Sequence, residues 1–473
     1  MIDKCKVFTP KDIVKSMLDV IDYNKDLFGK RVLENSCGDG NFLVQIVDRY
    51  ILDCKKQNLN VDEISLGLER DIVGVELDPF HVKNCIENLN KVAEVYGIIN
   101  VNWNIIQGDK LKFSFLEKFD YVIGNPPYIN YTELPVAERS YIRESFFSCR
   151  KGKPDYYYAF TEDALNSLND SGKMIYLIPN NFFKNRFGNS LRSLIFQNLK
   201  SIINYTGANL FEKRMTSSAV ILVDKQFRKE YFEYTDMKLS NEVKIKRKGF
   251  EVENKWVFDD FFDERLGIRF GDLFKVAHGV ATLRNNIFVI NPISEDGNYW
   301  YLADNKVIEK SITRKAIKPA YIGNDEKVEY IIYPYKQVKS EVLPICESDL
   351  KEYYKNTYSY LLDNKHELLK RKSDSSASWF CYGRSQALAH LDHDKIIMGL
   401  IISDRVRMGI FEREDIPYSG VYITSLHPQT YSLEFALTEL NSKKFYDYVK
   451  KIGISSNGTS YRITSEDINN YII

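Results

Sequence analysis

From Arg31 to about Val223, short apolar runs alternate with stretches of helical period. The runs are RVLEN (31–35), DIVGVEL (71–77), WNIIQGD (103–109), FDYVIGN (119–125), KMIYLIP (173–179) and SSAVILVD (217–224). Between them, FLVQIVDRYILDC and PFHVKNCIENLNKVAEVY read as amphipathic helices. This alternation predicts βα units around a parallel α/β sheet. After about residue 240 the pattern changes. Pieces such as KVEYIIYPY, KIIMGLII and GVYITS are separated by charged loops, which predicts an α+β second domain. A chain of 473 residues is also too long for one ordinary domain. The boundary is expected in the basic stretch near residues 240–255, giving domains 1–245 and 246–473.

Composition narrows the class. No apolar run reaches the roughly 18 residues a membrane span needs, and the start MIDKCKVFTP does not read as a signal peptide. A soluble cytoplasmic protein with no membrane partner is the expectation. The seven cysteines are scattered without a CxxC pair, and the six histidines show no HxxxH spacing, so neither a disulfide framework nor a metal site is predicted. Sixty-five basic residues balance sixty-five acidic ones. That balance weighs against a broadly basic nucleic-acid binder while leaving room for a local basic groove. The densest basic run, Val243 to Lys248, reads equally as a solvated strand or linker and as a phosphate contact.

Four of the expected strands end in a polar or acidic residue followed by a loop. Ligands of open parallel sheets bind outside the carboxyl ends of the strands, so four such ends lining one crevice form a joint signal. The first runs into Glu34-Asn35-Ser36-Cys37-Gly38-Asp39-Gly40. Its glycines permit a tight turn before a helix. It has neither a GxGxxG pattern nor a Walker lysine, so a phosphate cradle is not expected. An acid ahead of a glycine loop suits a ligand carrying an ammonium group. The second strand ends in Glu76-Leu77-Asp78. Here an acid commonly accepts from ribose hydroxyls, although a solvated Glu76 beside a helix-capping Asp78 is the plainer alternative. The gap from Glu34 exceeds the usual ~20 residues, and a helix and polar loop from Asp48 to Arg70 are expected to fill it. The third ends in Gly108-Asp109, a carboxylate suited to an adenine amino group. The fourth ends in Asn125-Pro126-Pro127-Tyr128. Consecutive prolines fix φ and remove two N–H donors, leaving backbone carbonyls free to face a substrate. With the Asn125 side-chain carbonyl and the flat face of Tyr128, they make a pocket for a planar amino group and its ring.

In order and wording these segments resemble the γ-group, TaqI-like adenine-N6 DNA methyltransferases. Val7-Phe8-Thr9-Pro10 is similar to the N-terminal motif of that family, and Lys153-Pro154-Asp155-Tyr156-Tyr157 and Ile178-Pro179-Asn180-Asn181 to later ones. Asn209 to Met215 looks like the loop whose aromatic residue sandwiches the target base. Gly279 to Thr282, Tyr382 to Gln386 and the ending SYRITSEDINNY are similar to the family's target-recognition domain. Asn35-Ser36 departs from the proline and small residue of many members. The resemblance implies a class I methyltransferase fold, a doubly wound mixed sheet, followed by an α+β C-terminal target-recognition domain.

It also implies S-adenosyl-L-methionine as cofactor, S-adenosyl-L-homocysteine as product, and no metal. Thr9, Pro10, Glu34, Asn35, Ser36, Cys37, Gly38, Glu76, Asp109 and Pro127 would line the cofactor site. Asn125 and the Pro126 carbonyl would hold the target amine, with Tyr128 and Phe211 on the two faces of the base. Tyr156 to Tyr158 read mainly as packing. The implied partner is double-stranded DNA with the base flipped out, and a cognate restriction endonuclease encoded separately is compatible. N4-cytosine specificity, an NPPY-type RNA or protein-glutamine methyltransferase, and a non-catalytic binding subunit are the rival readings. The absence of a Pro-Cys dipeptide argues against cytosine-C5 chemistry.

Overall fold

A computed structural model describes residues 9–206, 217–248, 250, 252, 254–258, 267–324, 327–338, 341–375, 377–456 and 459–473. The chain divides into two compact units, Met1–Asp260 and Phe261–Ile473.

In the N-terminal unit the six apolar runs become β1 (Val32–Glu34), β2 (Ile72–Glu76), β3 (Asn104–Gln107), β4 (Phe119–Gly124), β5 (Leu168–Pro179) and β7 (Ser218–Asp224). Three strands the pattern did not mark complete the sheet: β6 (Leu199–Asn204), β8 (Tyr231–Asp236) and β9 (Asn241–Lys246). The order is β3-β2-β1-β4-β5-β7-β6-β8-β9. β1 to β5 are parallel to one another, and β7 runs antiparallel to both β5 and β6. The sheet is therefore doubly wound and mixed, as expected.

Strand alternation divides the core. Leu33, Val73, Val122, Met174 and Tyr176 face one side, with Ile142 of α5 (Val136–Ser145), Ala164 of α6 (Tyr157–Ser167) and Leu191 of α7 (Asn189–Phe196). Val32, Ile72, Ile123, Ile175 and Leu177 face the other, against α1 (Lys11–Val20), α2 (Asn41–Lys56), α3 (Val61–Asp71) and α4 (Pro79–Val95). Both faces are covered, which is why these strands read as continuous apolar runs. The expected polar loop between Asp48 and Arg70 is instead largely helical. A capping box starts α3, with the Glu63 amide on Asn60 Oδ1 (2.9 Å) and the Asn60 amide on Glu63 Oε2 (2.8 Å). Only Ile64 and Leu68 mark its buried apolar stripe, too few to stand out among charged neighbours.

The basic run 243–248 lies largely on β9, at the sheet edge. Lys244 and Lys246 are exposed, and such lysines discourage edge-to-edge pairing. Arg247 turns inward onto the carbonyls of Phe196, Leu199 and Lys229. Beyond β9, Trp256 is fully buried among Phe182, Phe196, Phe232 and Phe250, its amide on the Phe183 carbonyl at 2.7 Å.

The C-terminal unit is a mixed α/β body of small sheets. One antiparallel sheet has the order Phe274–His278, Val421–Ser425, Lys395–Met398, Met408–Phe411. The run KIIMGLII breaks at Gly399 into Lys395–Met398 and Ile401–Ile402, which belong to different sheets. Lys395 is buried and donates to the carbonyls of Glu412 (2.9 Å), Arg413 (3.0 Å) and Asp415 (3.1 Å), and burial lowers its pKa to about 8. Buried Glu309 accepts from the amide and Nδ2 of Asn356 and the amide and Oγ1 of Thr357, where the helix Lys355–Asp363 begins. Among the described residues no helix is long and apolar enough to cross a membrane.

Candidate active site

The carboxyl ends of β1, β2, β3 and β4 lie side by side, because these strands are parallel neighbours. At the first, Glu34 is 2% exposed. Its Oε2 is buried without a hydrogen-bond partner. Burial pushes this carboxyl well above the usual carboxylate range, helped by Cys85 and Glu76. The loop after it turns through Gly38 (φ +52°) and Gly40 (φ +84°). At Gly40 a Cβ would stand 2.8 Å from Cys85 Sγ on α4, so only glycine allows this approach without displacement. Cys37 anchors the loop to β2, its amide on the Val75 carbonyl at 2.9 Å.

Glu76 ends β2 and binds the same loop. Its Oε2 accepts from the Gly38 amide and its Oε1 from the Asp78 amide, both at 2.9 Å. Asp78 caps α4 through the Phe80 amide at 2.9 Å. After β3, Asp109 accepts from the Leu111 amide at 3.1 Å, and burial raises its pKa.

At the end of β4, Asn125 donates from Nδ2 to Thr9 Oγ1 at 3.1 Å. Its Oδ1 is buried with no partner. Thr9 is itself buried just ahead of α1, with Pro10 exposed beside it. Ser36 Oγ reaches the Asn125 carbonyl at 3.5 Å, tying the first loop to the fourth. Pro126 is buried and Pro127 half-buried. Tyr128 is tethered by its hydroxyl to the Leu177 carbonyl at 2.9 Å, and its ring meets that of Tyr157 edge-on at 6.3 Å. Tyr157 and Tyr158 are buried, and the Tyr157 hydroxyl donates to Asn181 Oδ1 at 2.7 Å. Asn181 also donates to Asp155 at 3.1 Å, so the two later motifs meet.

Asn35 stands apart from the other loop residues. Its side chain turns inward, accepting from Tyr176 and donating to Asp163 at 3.1 Å. Asp163 also takes the buried Lys110 ammonium at 2.6 Å, linking the loops after β1 and β3 from below. Sequence reasoning missed Lys110, Asp163 and Tyr176. The available signals were a lysine inside GDKLKF and the adjacent acids Glu162 and Asp163 within the helix YYAFTEDALNS. Phe211 and its loop, and Val7-Phe8, lie outside the described residues.

The donor set can be tested against the expected cofactor. A buried carboxylate oxygen without a partner suits an ammonium group, and the backbone at Gly38 faces open space, with nothing within 4 Å of where a Cβ would stand. The residues fit S-adenosylmethionine. Among the described residues no group of three or more His, Cys, Asp or Glu side chains could hold a metal ion.

Residues 49–211 match the family model described as Eco57I restriction-modification methylase. This stretch contains Glu76, Asp109 and Asn125 to Tyr128 and leaves out Thr9 and Glu34. The resemblance is to restriction-modification methylases. The chain is 24% identical to the type II restriction enzyme and methyltransferase RM.Eco57I of Escherichia coli, over 85% of this chain and 49% of that protein. It is 31% identical to the type II methyltransferase M.BstVI of Geobacillus stearothermophilus, over 46% of this chain and 41% of that protein. The chain thus spans about half the length, or less, of these curated relatives. In structure it is similar to the type IIL restriction-modification enzyme MmeI solved in complex with DNA. That match has TM-score 0.64 at 14% identity and covers 97% of this chain and 65% of that one. The type ISP enzyme LlaGI, a nuclease-deletion mutant solved with a DNA substrate mimic, gives TM-score 0.54 at 12% identity over 88% and 41% of the two chains. The fold is that of the class I methyltransferases, with an additional mixed α/β C-terminal domain.

Proposed function

We propose that the protein is a site-specific DNA methyltransferase that transfers a methyl group from S-adenosylmethionine to the N6 amine of a flipped adenine. The observation that carries this reading is the pair of buried, unpartnered acceptors, Glu34 Oε2 and Asn125 Oδ1, at the ends of adjacent strands. Buried polar groups without partners are costly. Their coincidence in one crevice fits ligands that supply an ammonium and an amine.

Bound there, S-adenosylmethionine supplies an electrophilic methyl on its sulfonium. Glu34 would hold the ammonium group, Glu76 the ribose hydroxyls and Asp109 the adenine ring of the cofactor. An aromatic amine is a poor nucleophile because its lone pair is delocalised into the ring. Asn125 Oδ1 and the Pro126 carbonyl would accept hydrogen bonds from its two N–H groups, drawing the nitrogen toward tetrahedral geometry and localising the lone pair. N–CH3 bond formation then accompanies S–CH3 cleavage, S-adenosylhomocysteine leaves and the amine gives up one proton to solvent. Thr9 keeps the Asn125 NH2 turned away, so the oxygen faces the substrate. Most of the assistance is positioning and electrostatics. In a duplex the amine is inside the stack, so the base must leave the helix. Tyr128 provides one stacking face, and Phe211 is proposed as the other.

The test incubates the protein with unmethylated plasmid and labelled S-adenosylmethionine, followed by mass spectrometry of the nucleosides and single-molecule sequencing. N6-methyladenine at a defined site is the expected product. N4-methylcytosine would move the assignment to the other amine, and label only in RNA or protein would overturn the DNA reading.

A further inference from the structure

Eight non-glycine residues among those described have positive φ, and seven are Asp, Asn or Ser, which tolerate this conformation. The eighth is Leu283, at φ +58°. A bulky residue there is strained, and such strain persists only where the surroundings impose it.

The surroundings do impose it. Thr282 is fully buried; its Oγ1 accepts from the Arg284 amide at 3.1 Å and donates to Asn285 Oδ1 at 2.5 Å, winding the turn. The Thr282 carbonyl accepts from the Gly383 amide at 3.3 Å and from the Arg371 guanidinium at 2.8 Å. The Val280 amide is held by the Pro417 carbonyl at 2.7 Å, and Ala281 bridges to Arg384. Two segments about a hundred residues apart are thus fastened into one knot. At Gly383 a Cβ would lie 2.5 Å from Leu283 Cδ1, so a side chain is excluded where Leu283 rests. Despite this clamping Leu283 remains 39% exposed.

The rim of the knot is basic and amide-rich. Arg284, Lys370, Lys372 and Arg384 outnumber the acids Glu367 and Asp374; Glu367 pairs with Arg284 (3.3 Å) and Lys370 (2.7 Å) and Asp374 with Arg384 (2.9 Å), while the buried Arg284 Nε has no partner. Asn286 and Gln386 are exposed on the same two segments. Arginine and side-chain amides are the groups that read guanine and adenine edges, and an apolar side chain contacts a thymine methyl or wedges between bases.

We infer that Leu283 is held in its strained conformation to press its side chain against the bases of a bound DNA duplex, with Arg284 and Arg384 beside it. This rests on the proposed DNA methyltransferase activity. The knot is a specificity device remote in sequence from the methyl-transfer residues.

The experiment uses the full-length chain and a duplex carrying the site that the wild type methylates, found by single-molecule sequencing. Leu283→Gly and Leu283→Asn both suit positive φ. Each should keep or raise Tm and leave S-adenosylmethionine affinity unchanged. Each should lower kcat/KM for the duplex roughly tenfold, the scale of losing one base contact, and relax the methylated sequence at one or two adjacent positions. Unchanged kcat/KM and an unchanged methylated sequence would overturn the inference while leaving the activity intact. So would a loss of activity that only follows a fall in Tm. A wild type that methylates protein and no DNA would overturn the proposed function and this inference together.

Discussion

Glu34 and Glu309 are both buried glutamates, one in each unit, and their surroundings differ in kind. Glu309 meets four donors where a helix begins, and nothing about it is left over. One oxygen of Glu34 has no partner, and Asn125 Oδ1, just past the end of the neighbouring strand, has none either. Lys395 follows the Glu309 pattern, with three carbonyls around its ammonium. A fully satisfied buried charge fixes backbone. A half-satisfied one costs stability that protonation or a ligand returns, and its position is therefore informative about function.

The contrast can be broken by substitution. The largest effect is expected at Asn125→Ala, which should cut methyl transfer by about a hundredfold or more, the scale of a lost transition-state hydrogen bond. Cofactor affinity, measured by calorimetry, should stay within a few-fold. Normal transfer by this variant would remove Asn125 from the chemistry. Glu309→Ala should behave oppositely. Stranding its donors should cost about 2–3 kcal/mol of stability in chemical denaturation, with cofactor affinity unaltered, and an undiminished midpoint would show that the four bonds are dispensable.

Glu76→Ala should weaken S-adenosylmethionine by about 1.5–3 kcal/mol if its carboxylate makes a charge-assisted bond to ribose. The same change frees the Gly38 amide, so some loss of loop order is expected. Unchanged affinity would leave Glu76 as a brace of the glycine loop alone.

The smallest effect, and the one with an unusual sign, is at Glu34. Its pKa is raised, mainly by burial, so the folded apoprotein binds this proton more tightly than the unfolded chain. Ionising it costs stability as pH climbs above the ordinary carboxylate range toward the raised value. Glu34→Gln should therefore leave the apoprotein at least as stable at neutral pH, while weakening the cofactor roughly tenfold through loss of a charged bond. In the wild type, affinity should rise with pH as Glu34 ionises, and the Gln variant should lack that rise. Parallel pH profiles would sink the ammonium assignment.

The N-terminal sheet was legible because both its faces are covered, which makes each strand a continuous apolar run. β6 and β8 escaped because they alternate or mix polar residues, as in LKSIIN and YFEYTD. The strand-end residues were legible by the same logic, since carboxyl ends of parallel neighbours must converge. What sequence cannot carry is side-chain direction. Asn35 sits in the glycine-loop motif yet faces Asp163 and Tyr176, and Thr9 meets Asn125 across 116 positions of chain. The C-terminal unit was the least legible, because its short strands switch sheets and its segments Gly279 to Thr282 and Tyr382 to Gln386 are joined by backbone bonds that no periodicity announces.

One reversal in the sheet has an engineering consequence. Because β7 runs against β5, with Ser218 opposite Pro179, its first residue lies at the same end of the sheet as Asn125. The end of β6 lies there too, Asn204 opposite Ala219. The last residue of β6 and the first of β7 thus both lie at the rim of the crevice, each held in a paired strand. Lengthening a loop between fixed anchors costs little, about 0.6 kcal/mol per doubling. The length of that connection can therefore change, or be redesigned, without disturbing the strands on either side of it.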